Sequence, residues 1–365
     1  MSTIMCVVGA RPNFIKIAPI MAALQVYSSI TVKLTHTGQH YDAMLSDVFF
    51  HDLGLREPDV RLGVGSGSAV TQVAQIMTSF ERACEEERPD AVLVVGDVNS
   101  SLACALTSVK LGVKLIHVEA GLRSHDRQMP EEINRVLIDA VSDLLFCTEE
   151  SAVKALITEG RPKEKIYLVG NVMIDSLLQN LPRARESKIL EELGVTPHSY
   201  AVATLHRPGA VDSPERFAEI LNALETIQRD LPLIMPLHPR TRKNIYAFHF
   251  EERLAQMSNL RVLEPLGYLD FLQLNSNARV VLTDSGGLQE ETTALHVPCI
   301  TVRENTERPI TVDVGSNQLA GLSCQGILDA YHRVQTEQFS NRAVPPLWDG
   351  HAATRIAKII ADFLG

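Results

Sequence analysis

Short apolar runs rich in valine and isoleucine alternate with longer amphipathic segments along the first half of the chain. The apolar runs that have the length of buried β-strands lie at residues 4–8, 32–37, 91–95, 114–118 and 144–147. Segments with helical periodicity separate them, for example at residues 13–27, 70–87, 100–111 and 131–140. Because strand and helix alternate, the pattern predicts an α/β domain whose parallel sheet is covered by helices on both faces.

The same alternation restarts after a charged stretch at 183–188. Its apolar runs lie at residues 200–205, 231–236, 260–263, 279–283 and 299–302. A chain of 365 residues also exceeds what one hydrophobic core usually serves. We therefore predict two doubly wound Rossmann-like domains, over 1–180 and 190–347, and an amphipathic segment at 352–363 that could pack on either half. Ligands bind such folds at the carboxyl ends of the strands, so two facing domains would enclose a central cleft.

Charge and composition exclude several classes of protein. The formal net charge is −10, with 34 Lys+Arg against 44 Asp+Glu, so no broad basic face for a nucleic acid can be assembled. The N-terminus lacks a charged segment followed by an apolar stretch, and no apolar run of about 18 residues occurs elsewhere, which argues against membrane insertion. The six cysteines form no C-x-x-C pair, so reduced, mostly buried thiols are expected. Together these features predict a cytoplasmic protein.

A turn with two cations follows the first predicted strand. Gly9 permits a tight turn, Pro12 suits the first position of a helix, and Arg11 and Lys16 lie near the N-terminus of that helix. A cation there opposes the helix dipole, so a bound anion explains it better than stability does. The alternative is that both side chains are solvated on the surface.

A second candidate anion site follows the predicted strand at 279–283. Ser285, Gly286 and Gly287 stand at the turn into a helix, where backbone N–H groups and a hydroxyl can approach a phosphate closely. The motif is neither a P-loop nor a G-x-G-x-x-G fingerprint, which weakens the ATPase and NAD interpretations. We place Glu291 in the first turn, where it could accept hydrogen bonds from ribose hydroxyls or simply stabilise the helix.

Acidic residues follow strands or open a helix in the first half. Asp97 and Glu119 come directly after apolar strands, and Glu131 follows Pro130 with Arg135 four positions on. Asp97 could simply cap a helix, and Glu131 could simply pair with Arg135. Glu119 is harder to explain in this way, because a carboxylate directly after a buried strand needs a partner or a function.

Histidines in apolar settings are usually ordinary hydrogen-bonded residues, and His117, His238 and His296 fit that description. His206 differs, because it follows the first strand of the second domain and precedes Arg207. The His, Asp and Glu residues show no metal-ligand spacing such as H-E-x-x-H, so no metal is predicted.

Taken in order, these segments resemble the non-hydrolysing UDP-N-acetylglucosamine 2-epimerases along the whole chain. The stretches that carry the resemblance are GARPNFIKIAP (9–19), TGQHY (37–41), GDVNS (96–100), HVEAGLR (117–123), PEEINR (130–135), GNVMID (170–175), LHR (205–207), TDSGGLQEE (283–291) and ERP (307–309). The resemblance implies a glycosyltransferase-B-like fold and a C-terminal helix, within 348–365, that packs back on the first domain. It also implies a homodimer and a UDP-sugar in the interdomain cleft.

The resemblance implies roles for individual residues as well. The positions that match the family's catalytic carboxylates are Asp97, Glu119 and Glu131. The positions that match its UDP-contacting residues are Arg11, His206, Ser285, Gly286, Gly287, Glu291 and Arg308. His206 is counted with the catalytic residues too, and Lys16 and Arg135 match basic residues that line the cleft.

The chain departs from the family pattern at two places. Tyr41 and Asp42 stand where many bacterial members have a second glutamine that binds a regulatory substrate molecule. After Arg207 the chain runs Pro-Gly-Ala at 208–210, where the family more often has a charged or polar run. Both departures argue against activation by substrate and leave room for a different sugar.

The implied reaction is an inversion at carbon 2 of the sugar. That carbon is not adjacent to a carbonyl, so its proton is too weakly acidic for direct removal. Breaking the bond from the anomeric carbon to UDP first acidifies the neighbouring C–H, and one carboxylate then removes the proton to give a glycal and UDP. Another carboxylate returns a proton to the opposite face and UDP adds again, without a redox cofactor.

Alternatives to this reading remain open at the level of sequence. A glycosyltransferase of the same fold would transfer the sugar to an acceptor and would need one general base. A UDP-sugar-binding regulator without activity would have no use for three carboxylates. Within the family, a 2-epimerase for a diacetamido uronic-acid UDP-sugar is a direct competitor, because the sequence does not fix the substituents at carbons 3 and 6.

Overall fold

The computed structural model describes residues 1–38, 55–65, 67–336 and 343–365. The chain divides into two compact units, one formed by Met1–Gln179 with Pro346–Gly365 and the other by Asn180–Pro345. Each unit contains a sheet in which all the strand pairs are parallel. The predicted α/β class with two sheets is therefore confirmed.

The first unit has a sheet of seven strands among the residues described. These strands are β1 (Ser2–Val8), β2 (Ile30–His36), β3 (Val60–Arg61), β4 (Ala91–Val95), β5 (Lys114–Val118), β6 (Leu144–Cys147) and β7 (Ile166–Leu168). They lie side by side in the order β3-β2-β1-β4-β5-β6-β7. In the register of the centre, Cys6 lies between Leu34 of β2 and Leu93 of β4.

Helices cover both faces of this sheet. They are Arg11–Leu24, Ala69–Glu87, Asn99–Lys110, Pro130–Val141, Glu150–Thr158, Val172–Ala184 and Ala352–Leu364, with a short 3₁₀ turn at Lys163–Lys165. The central strands are apolar along their whole length because helices bury them on both sides. This explains the continuous apolar runs in the sequence.

The C-terminal helix Ala352–Leu364 packs on the helix Arg11–Leu24 of the first unit. The Asp175 carboxylate accepts hydrogen bonds from the backbone N–H groups of Ala352 (3.1 Å) and Ala353 (2.7 Å). It therefore caps the helix from outside, where a negative charge also complements the helix dipole. Trp348 adds a second anchor, because its Nε1 donates to the carbonyl of Thr148 (3.1 Å).

The second unit has a sheet of six strands in the order β10-β9-β8-β11-β12-β13, counted over the described residues. These strands are β8 (Ala201–Thr204), β9 (Leu233–Pro236), β10 (Leu260–Leu263), β11 (Val280–Thr283), β12 (Cys299–Thr301) and β13 (Asn317–Leu319). The helices that accompany them are Ile189–Glu192, Pro208–Val211, Pro214–Asp230, Pro239–Ala247, Glu251–Ala255, Tyr268–Ser276, Gly286–Ala294, Ile310–Asp313 and Cys324–Thr336.

The direction of strand order reverses at one point in each sheet. In the first unit β1 lies beside β4, and in the second unit β8 lies beside β11. The loops that leave the carboxyl ends of two such strands run to opposite faces, which opens a crevice where ligands of α/β proteins bind. The turns after β1, β4, β8 and β11 are therefore the places at which the fold favours a site.

The structure also bears on the predictions about disulfides, membrane insertion and metal binding. All six cysteines are free, and all except Cys324 are buried, which agrees with the expected reduced thiols. None of the helices within the described ranges is long and apolar enough to cross a membrane. In the same ranges, no group of three His, Cys, Asp or Glu residues is arranged to hold a metal ion.

Candidate active site

The turn after β1 is fixed against the end of β4. A Cβ at Gly9 would lie 2.0 Å from Ser100 Oγ, so no larger residue fits there without displacing the helix Asn99–Lys110. Asn13 Oδ1 accepts a hydrogen bond from the backbone N–H of Ala10 (3.0 Å), and its Nδ2 donates to the carbonyl of Val95 (2.9 Å). The turn is thus held from both sides at the reversal point of the sheet.

The two cations predicted near this turn have different outcomes. Arg11 is the first residue of the helix Arg11–Leu24, and its side chain lies outside the described part of the structure. Lys16, one turn further on, is 8% exposed and forms an ion pair with Glu119. The interpretation of Lys16 as a solvated surface residue is therefore wrong.

Glu119 has an unusual backbone conformation. Its φ is 72°, in the left-handed region that costs about 1 kcal/mol or more for a residue with a side chain. The N–H groups of Glu119 and Ala120 both donate to the carbonyl of Phe146, each at 3.0 Å, which holds the strand end in this conformation. A Cβ at Gly96 would lie 3.2 Å from Glu119 Oε2, so Gly96 leaves room for the carboxylate. Backbone strain held in this way is typical of functional positions.

Asp97 and Arg135 form a second pair at the same edge of the sheet. Arg135 Nε lies 3.1 Å and Nη2 lies 2.5 Å from Asp97 Oδ2, while its Nη1 lies 3.1 Å from Glu132 Oε2. Arg135 is 3% exposed, so its charge is compensated almost entirely by these carboxylates. The proposed i,i+4 pair of Arg135 with Glu131 is wrong, because Glu132 occupies that role from the i,i+3 position.

Glu131 is exposed in the first turn of the helix Pro130–Val141. Its side chain makes no hydrogen bond or ion pair with any of the residues that the structure describes. The structure therefore brings Lys16, Gly96, Glu119, Asp97 and Arg135 together and leaves Glu131 at the surface. An exposed first-turn carboxylate also stabilises the helix through its dipole.

A buried carboxylate that the sequence interpretation missed supports the turn at Glu119. Asp139 Oδ1 lies 2.7 Å from His117 Nδ1, and its Oδ2 accepts from the backbone N–H of Gly121 (3.1 Å). Arg123 Nη2 lies 2.7 Å from the same Oδ2. His117 Nε2 lies 3.1 Å from the carbonyl of Gly96, so both ring nitrogens are bonded, as expected for an ordinary buried histidine. The segment that carries Glu119 is anchored on both sides of that residue.

The second unit places His206 beside Asp284. His206 is the second residue after β8, and Asp284 is the first residue after β11. Because β8 and β11 are neighbouring strands, the two residues lie side by side. Asp284 Oδ1 lies 2.8 Å from His206 Nδ1, and Oδ2 accepts from the N–H groups of His206 (2.8 Å) and Arg207 (2.7 Å). Asp284 was not among the predicted site residues. The signal was present, because it too is a carboxylate directly after a buried strand.

Three arginines surround one buried glutamate next to the glycine turn. Glu307 is 2% exposed and lies 2.9 Å from Arg308, 2.8 Å from Arg303 and 3.2 Å from Arg207. Burial raises the pKa of Glu307, but the three guanidinium groups outweigh it and hold that pKa well below its usual range. A Cβ at Gly286 would lie 3.0 Å from Arg308 Nη1, so the glycine lets this cationic cluster approach the turn.

Ser285 stands at the N-cap position of the helix Gly286–Ala294, and its hydroxyl makes no capping hydrogen bond. The first-turn N–H groups, including those of Gly286 and Gly287, have no partner within the helix itself. An anion at this terminus would satisfy them and would also be favoured by the helix dipole. The phosphate turn stays a prediction, and these N–H groups are the donors that it would use.

Glu291 lies in the second turn of this helix, so its predicted place in the first turn is wrong. The alternative that Glu291 is present only to stabilise the helix through its dipole therefore does not hold, because that effect is confined to the first turn. Burial, together with the neighbouring charge of Glu290, raises the pKa of Glu291 to about 8. A buried carboxyl of this kind can either donate or accept hydrogen bonds near neutral pH, which suits the recognition of hydroxyl groups.

The structure describes one of the two places at which the chain departs from the family pattern. Tyr41 and Asp42 lie outside the described residues. The run after Arg207 forms the short helix Pro208–Val211, with Pro208 at its first position. It therefore provides a helix start at the place where the family pattern more often has a charged or polar run.

Comparison with known proteins gives a consistent result along the whole chain. The family model described as UDP-N-acetylglucosamine 2-epimerase matches residues 22–361. A UDP-N-acetylglucosamine 2-epimerase of Methanococcus maripaludis is 40% identical, with 97% of each chain covered. A UDP-2,3-diacetamido-2,3-dideoxy-D-glucuronate 2-epimerase of Pseudomonas aeruginosa is 38% identical, with 98% of this chain and 99% of that protein covered.

The crystal structure of Methanocaldococcus jannaschii UDP-GlcNAc 2-epimerase in complex with UDP-GlcNAc and UDP superposes with a TM-score of 0.92. It is 39% identical and 99% of each chain is covered. The two parallel sheets and their helices thus form a two-domain α/β fold of the glycosyltransferase-B-like class. Within that class, the chain belongs to the UDP-N-acetylglucosamine 2-epimerase family.

Proposed function

We propose that the protein interconverts UDP-N-acetylglucosamine and UDP-N-acetylmannosamine by inverting carbon 2 of the sugar. The observation that carries this proposal is the pair of carboxylates at neighbouring strand ends, Glu119 after β5 and Asp97 after β4, each beside a buried cation. A transferase needs one general base, whereas inversion needs proton removal and proton delivery on opposite faces. Two held carboxylates therefore favour the epimerase.

The reaction begins with cleavage of the bond between the anomeric carbon and the diphosphate oxygen. Both electrons stay with the departing UDP, and the carbocation character at carbon 1 acidifies the hydrogen on carbon 2. One of the carboxylates Asp97, Glu119 and Glu131 removes that proton, which leaves a glycal. Another returns a proton to the opposite face, and the diphosphate oxygen adds again to carbon 1. The product differs from the substrate in the configuration at carbon 2 alone.

UDP binds, in this proposal, through the second unit. The open N-terminus of the helix Gly286–Ala294, the Ser285 hydroxyl and Arg308 beside Gly286 would receive the diphosphate. Buried Glu291 would contact the ribose hydroxyls. The M. jannaschii relative was crystallised with UDP-GlcNAc and UDP, which supports a nucleotide-sugar site on this fold.

The test is incubation of the purified protein with UDP-N-acetylglucosamine in D₂O, followed by NMR. The expected result is UDP-N-acetylmannosamine that carries deuterium at carbon 2. No epimer, or transfer of the sugar to an added acceptor, would refute the proposal. An epimer that contains only protium would keep the activity and refute the elimination mechanism.

A second substrate is favoured by one observation. The P. aeruginosa relative, a UDP-2,3-diacetamido-2,3-dideoxy-D-glucuronate 2-epimerase, is 38% identical over nearly the whole chain. Assays of both UDP-sugars side by side decide between them. A kcat/KM that is at least roughly tenfold higher with the diacetamido uronic acid would replace the proposed substrate, since tenfold corresponds to about 1.4 kcal/mol of discrimination.

Replacing Arg308 by alanine should weaken UDP binding by about 1.5 to 3 kcal/mol, or roughly 10- to 150-fold in Kd. The physical reason is the loss of a charge-assisted contact to the diphosphate beside the glycine turn. Calorimetry with UDP measures it. Arg229→Ala is the matched control, because Arg229 is two-thirds exposed and pairs with Glu225 one turn away on the same helix. Equal affinities in both variants would exclude Arg308 from the site.

We also propose that the protein is a homodimer. Ile133, Val136 and Leu137 are exposed on one face of the helix Pro130–Val141, an apolar surface that a second copy of the chain would cover. Sedimentation should give the mass of a dimer and, for Leu137→Arg, that of a monomer. Val26→Arg, at an exposed valine elsewhere, should not change the mass. A wild-type monomer would disprove the proposal.

A further inference from the structure

Asp284 is a fully buried carboxylate at the junction between His206 and the phosphate turn. Its Oδ2 is satisfied by two backbone N–H groups, those of His206 (2.8 Å) and Arg207 (2.7 Å). Its Oδ1 receives no well-aligned hydrogen bond from the rest of the described chain, and the atom at hydrogen-bonding distance is His206 Nδ1 (2.8 Å). A buried carboxylate oxygen needs a donor, so the proton of the ring belongs on Nδ1.

The opposite edge of the His206 ring is left open. The side chain is 37% exposed, and its Nε2 has no hydrogen-bond partner among the described residues. The His238 ring packs against it, with centroids 5.3 Å apart and planes tilted by 40°. Asp284 on one edge and His238 on one face therefore restrain the ring and leave Nε2 as its free polar atom.

The strand end that carries Asp284 also carries the glycine turn, so the His206 ring and that turn are built side by side. Thr204 of β8 and Thr283 of β11 are register partners, and their hydroxyls are hydrogen-bonded at 2.8 Å. Ser285 follows Asp284 directly, and its backbone N–H donates to Thr283 Oγ1 (3.0 Å). The His206 turn and the turn that offers its N–H groups to an anion are thus built on one pair of strand ends.

We propose that Asp284 is the positioning residue of His206, which keeps the ring proton on Nδ1 so that Nε2 meets the diphosphate oxygen that leaves carbon 1. This inference rests on the proposed function and assigns the atom at which His206 acts. When the bond from carbon 1 to that oxygen breaks, both electrons remain on the oxygen. The reactive ring carries a proton on each nitrogen, the second one taken up from solvent before the bond breaks. Nδ1–H stays bonded to Asp284 while Nε2–H donates a hydrogen bond to the leaving oxygen, and no proton is transferred in the step.

The charged groups around the ring are Asp284, Arg207 and, through Arg207, Glu307. Asp284 is the anion in direct contact, and it stabilises the protonated ring electrostatically. Burial raises the pKa of Asp284, but its hydrogen bonds with the His206 ring and the two backbone amides outweigh this and keep that pKa below its usual value. It is therefore a carboxylate at neutral pH, as its positioning role requires.

The test uses Asp284→Asn, which preserves shape. Its amide oxygen can still accept from the two backbone N–H groups, while its NH₂ group faces Nδ1 and forces the neutral ring to carry its proton on Nε2. We expect ¹⁵N NMR above the pH at which the ring is neutral to show His206 protonated at Nδ1 in the wild type and at Nε2 in the variant. His206→Asn identifies the signal among the 12 histidines. The same tautomer in both proteins would overturn the proposal.

Kinetics supply the second measurement. Asp284→Asn should lower kcat by roughly 10-fold or more, because it removes the anion that compensates the positive charge of the ring in the step in which charge develops on the leaving oxygen. In a His206→Asn background the same change should cost less than about threefold, since the two residues act as one unit. Equal losses in both backgrounds would show that Asp284 acts on the fold of the turn and not through His206.

These outcomes are separable from the proposed function. The tautomer of His206 is measured without substrate, so the result does not depend on which sugar the enzyme uses. UDP calorimetry in the His206→Asn background reports the integrity of the phosphate turn, and we expect the added Asp284→Asn change to leave Kd unaltered there. Wild-type protein that lacks epimerase activity but shows the Nδ1 tautomer would refute the function and leave the placement of the ring intact.

Discussion

Asparagine at Asp97, or glutamine at Glu119 or Glu131, should lower turnover by roughly 100-fold or more, the usual scale for losing a general acid or base. Each substitution keeps the shape of the side chain and removes its basicity, so UDP should still bind through the second unit. In D₂O the wild type should place deuterium at carbon 2 of the product. A variant that completes the elimination without the re-protonation should release free UDP and glycal. Initial rates and NMR of the products measure both effects.

The structure predicts that the three variants differ in their stability. Asp97→Asn removes a partner of buried Arg135, and Glu119→Gln removes the partner of buried Lys16, so both should also lose some stability. Glu131→Gln changes an exposed residue and should alter activity, with a loss of stability no larger than that of one helix-dipole contact, about 0.3 to 1 kcal/mol. Glu150→Gln, at another exposed first-turn glutamate, is its matched control and should show the same small loss of stability with unchanged activity. Full activity in all three variants would exclude these residues from proton transfer.

The sequence predicted the central strands well. The predicted runs at 91–95, 114–118 and 144–147 coincide with β4, β5 and β6. The reason is physical, because a strand buried on both faces must be apolar at every position, and such a run is visible without any knowledge of its neighbours.

Within the described ranges, three strands were not predicted, and all three lie at sheet edges. They are β3, β7 and β13, of two or three residues each. The last has the sequence Asn-Gln-Leu, which carries no apolar run. What makes it a strand is its pairing with Cys299–Thr301 of β12, and partners so far along the chain leave no local pattern.

In the candidate site, too, local features were predicted and long-range contacts were not. Motifs that are local in sequence, such as the turn at Ser285–Gly287, were found because glycines and a helix start occur side by side. The pairs that set the charges were missed, since Lys16 and Glu119 are 103 positions apart, and Arg207 and Glu307 are 100 apart. The order of strands in the sheet decides which loops meet, and no residue pattern within one loop contains that order.

Alanine at Asp139 should reduce the free energy of unfolding of the first unit by about 3 to 5 kcal/mol. The carboxylate is fully buried and serves His117, Arg123 and the backbone of Gly121 at once. Its removal leaves the buried Arg123 guanidinium with Glu159 as its remaining carboxylate partner and leaves His117 Nδ1 unpaired. The expected loss is therefore that of a broken buried ion pair, which greatly exceeds the cost of a surface substitution.

Urea unfolding followed by the fluorescence of the single tryptophan measures this loss, because Trp348 is buried in the first unit. Asp362→Ala is the control, since Asp362 is exposed in the same unit and makes no hydrogen bond or ion pair with other described residues. A change of less than about 1 kcal/mol for Asp139→Ala would contradict the argument.

The pH dependence provides an independent check on Asp139. Burial raises the pKa of its carboxyl, but the contacts with His117 and Arg123 outweigh burial and leave that pKa below the usual value. A carboxyl with a lowered folded-state pKa contributes its stability above the unfolded value of about 4, and the contribution is lost as the pH falls through the folded pKa. The difference in stability between the wild type and Asp139→Ala should therefore be full at neutral pH and shrink below about pH 4. A difference that stays constant down to pH 3 would mean that Asp139 stabilises the turn through its shape and not through its charge.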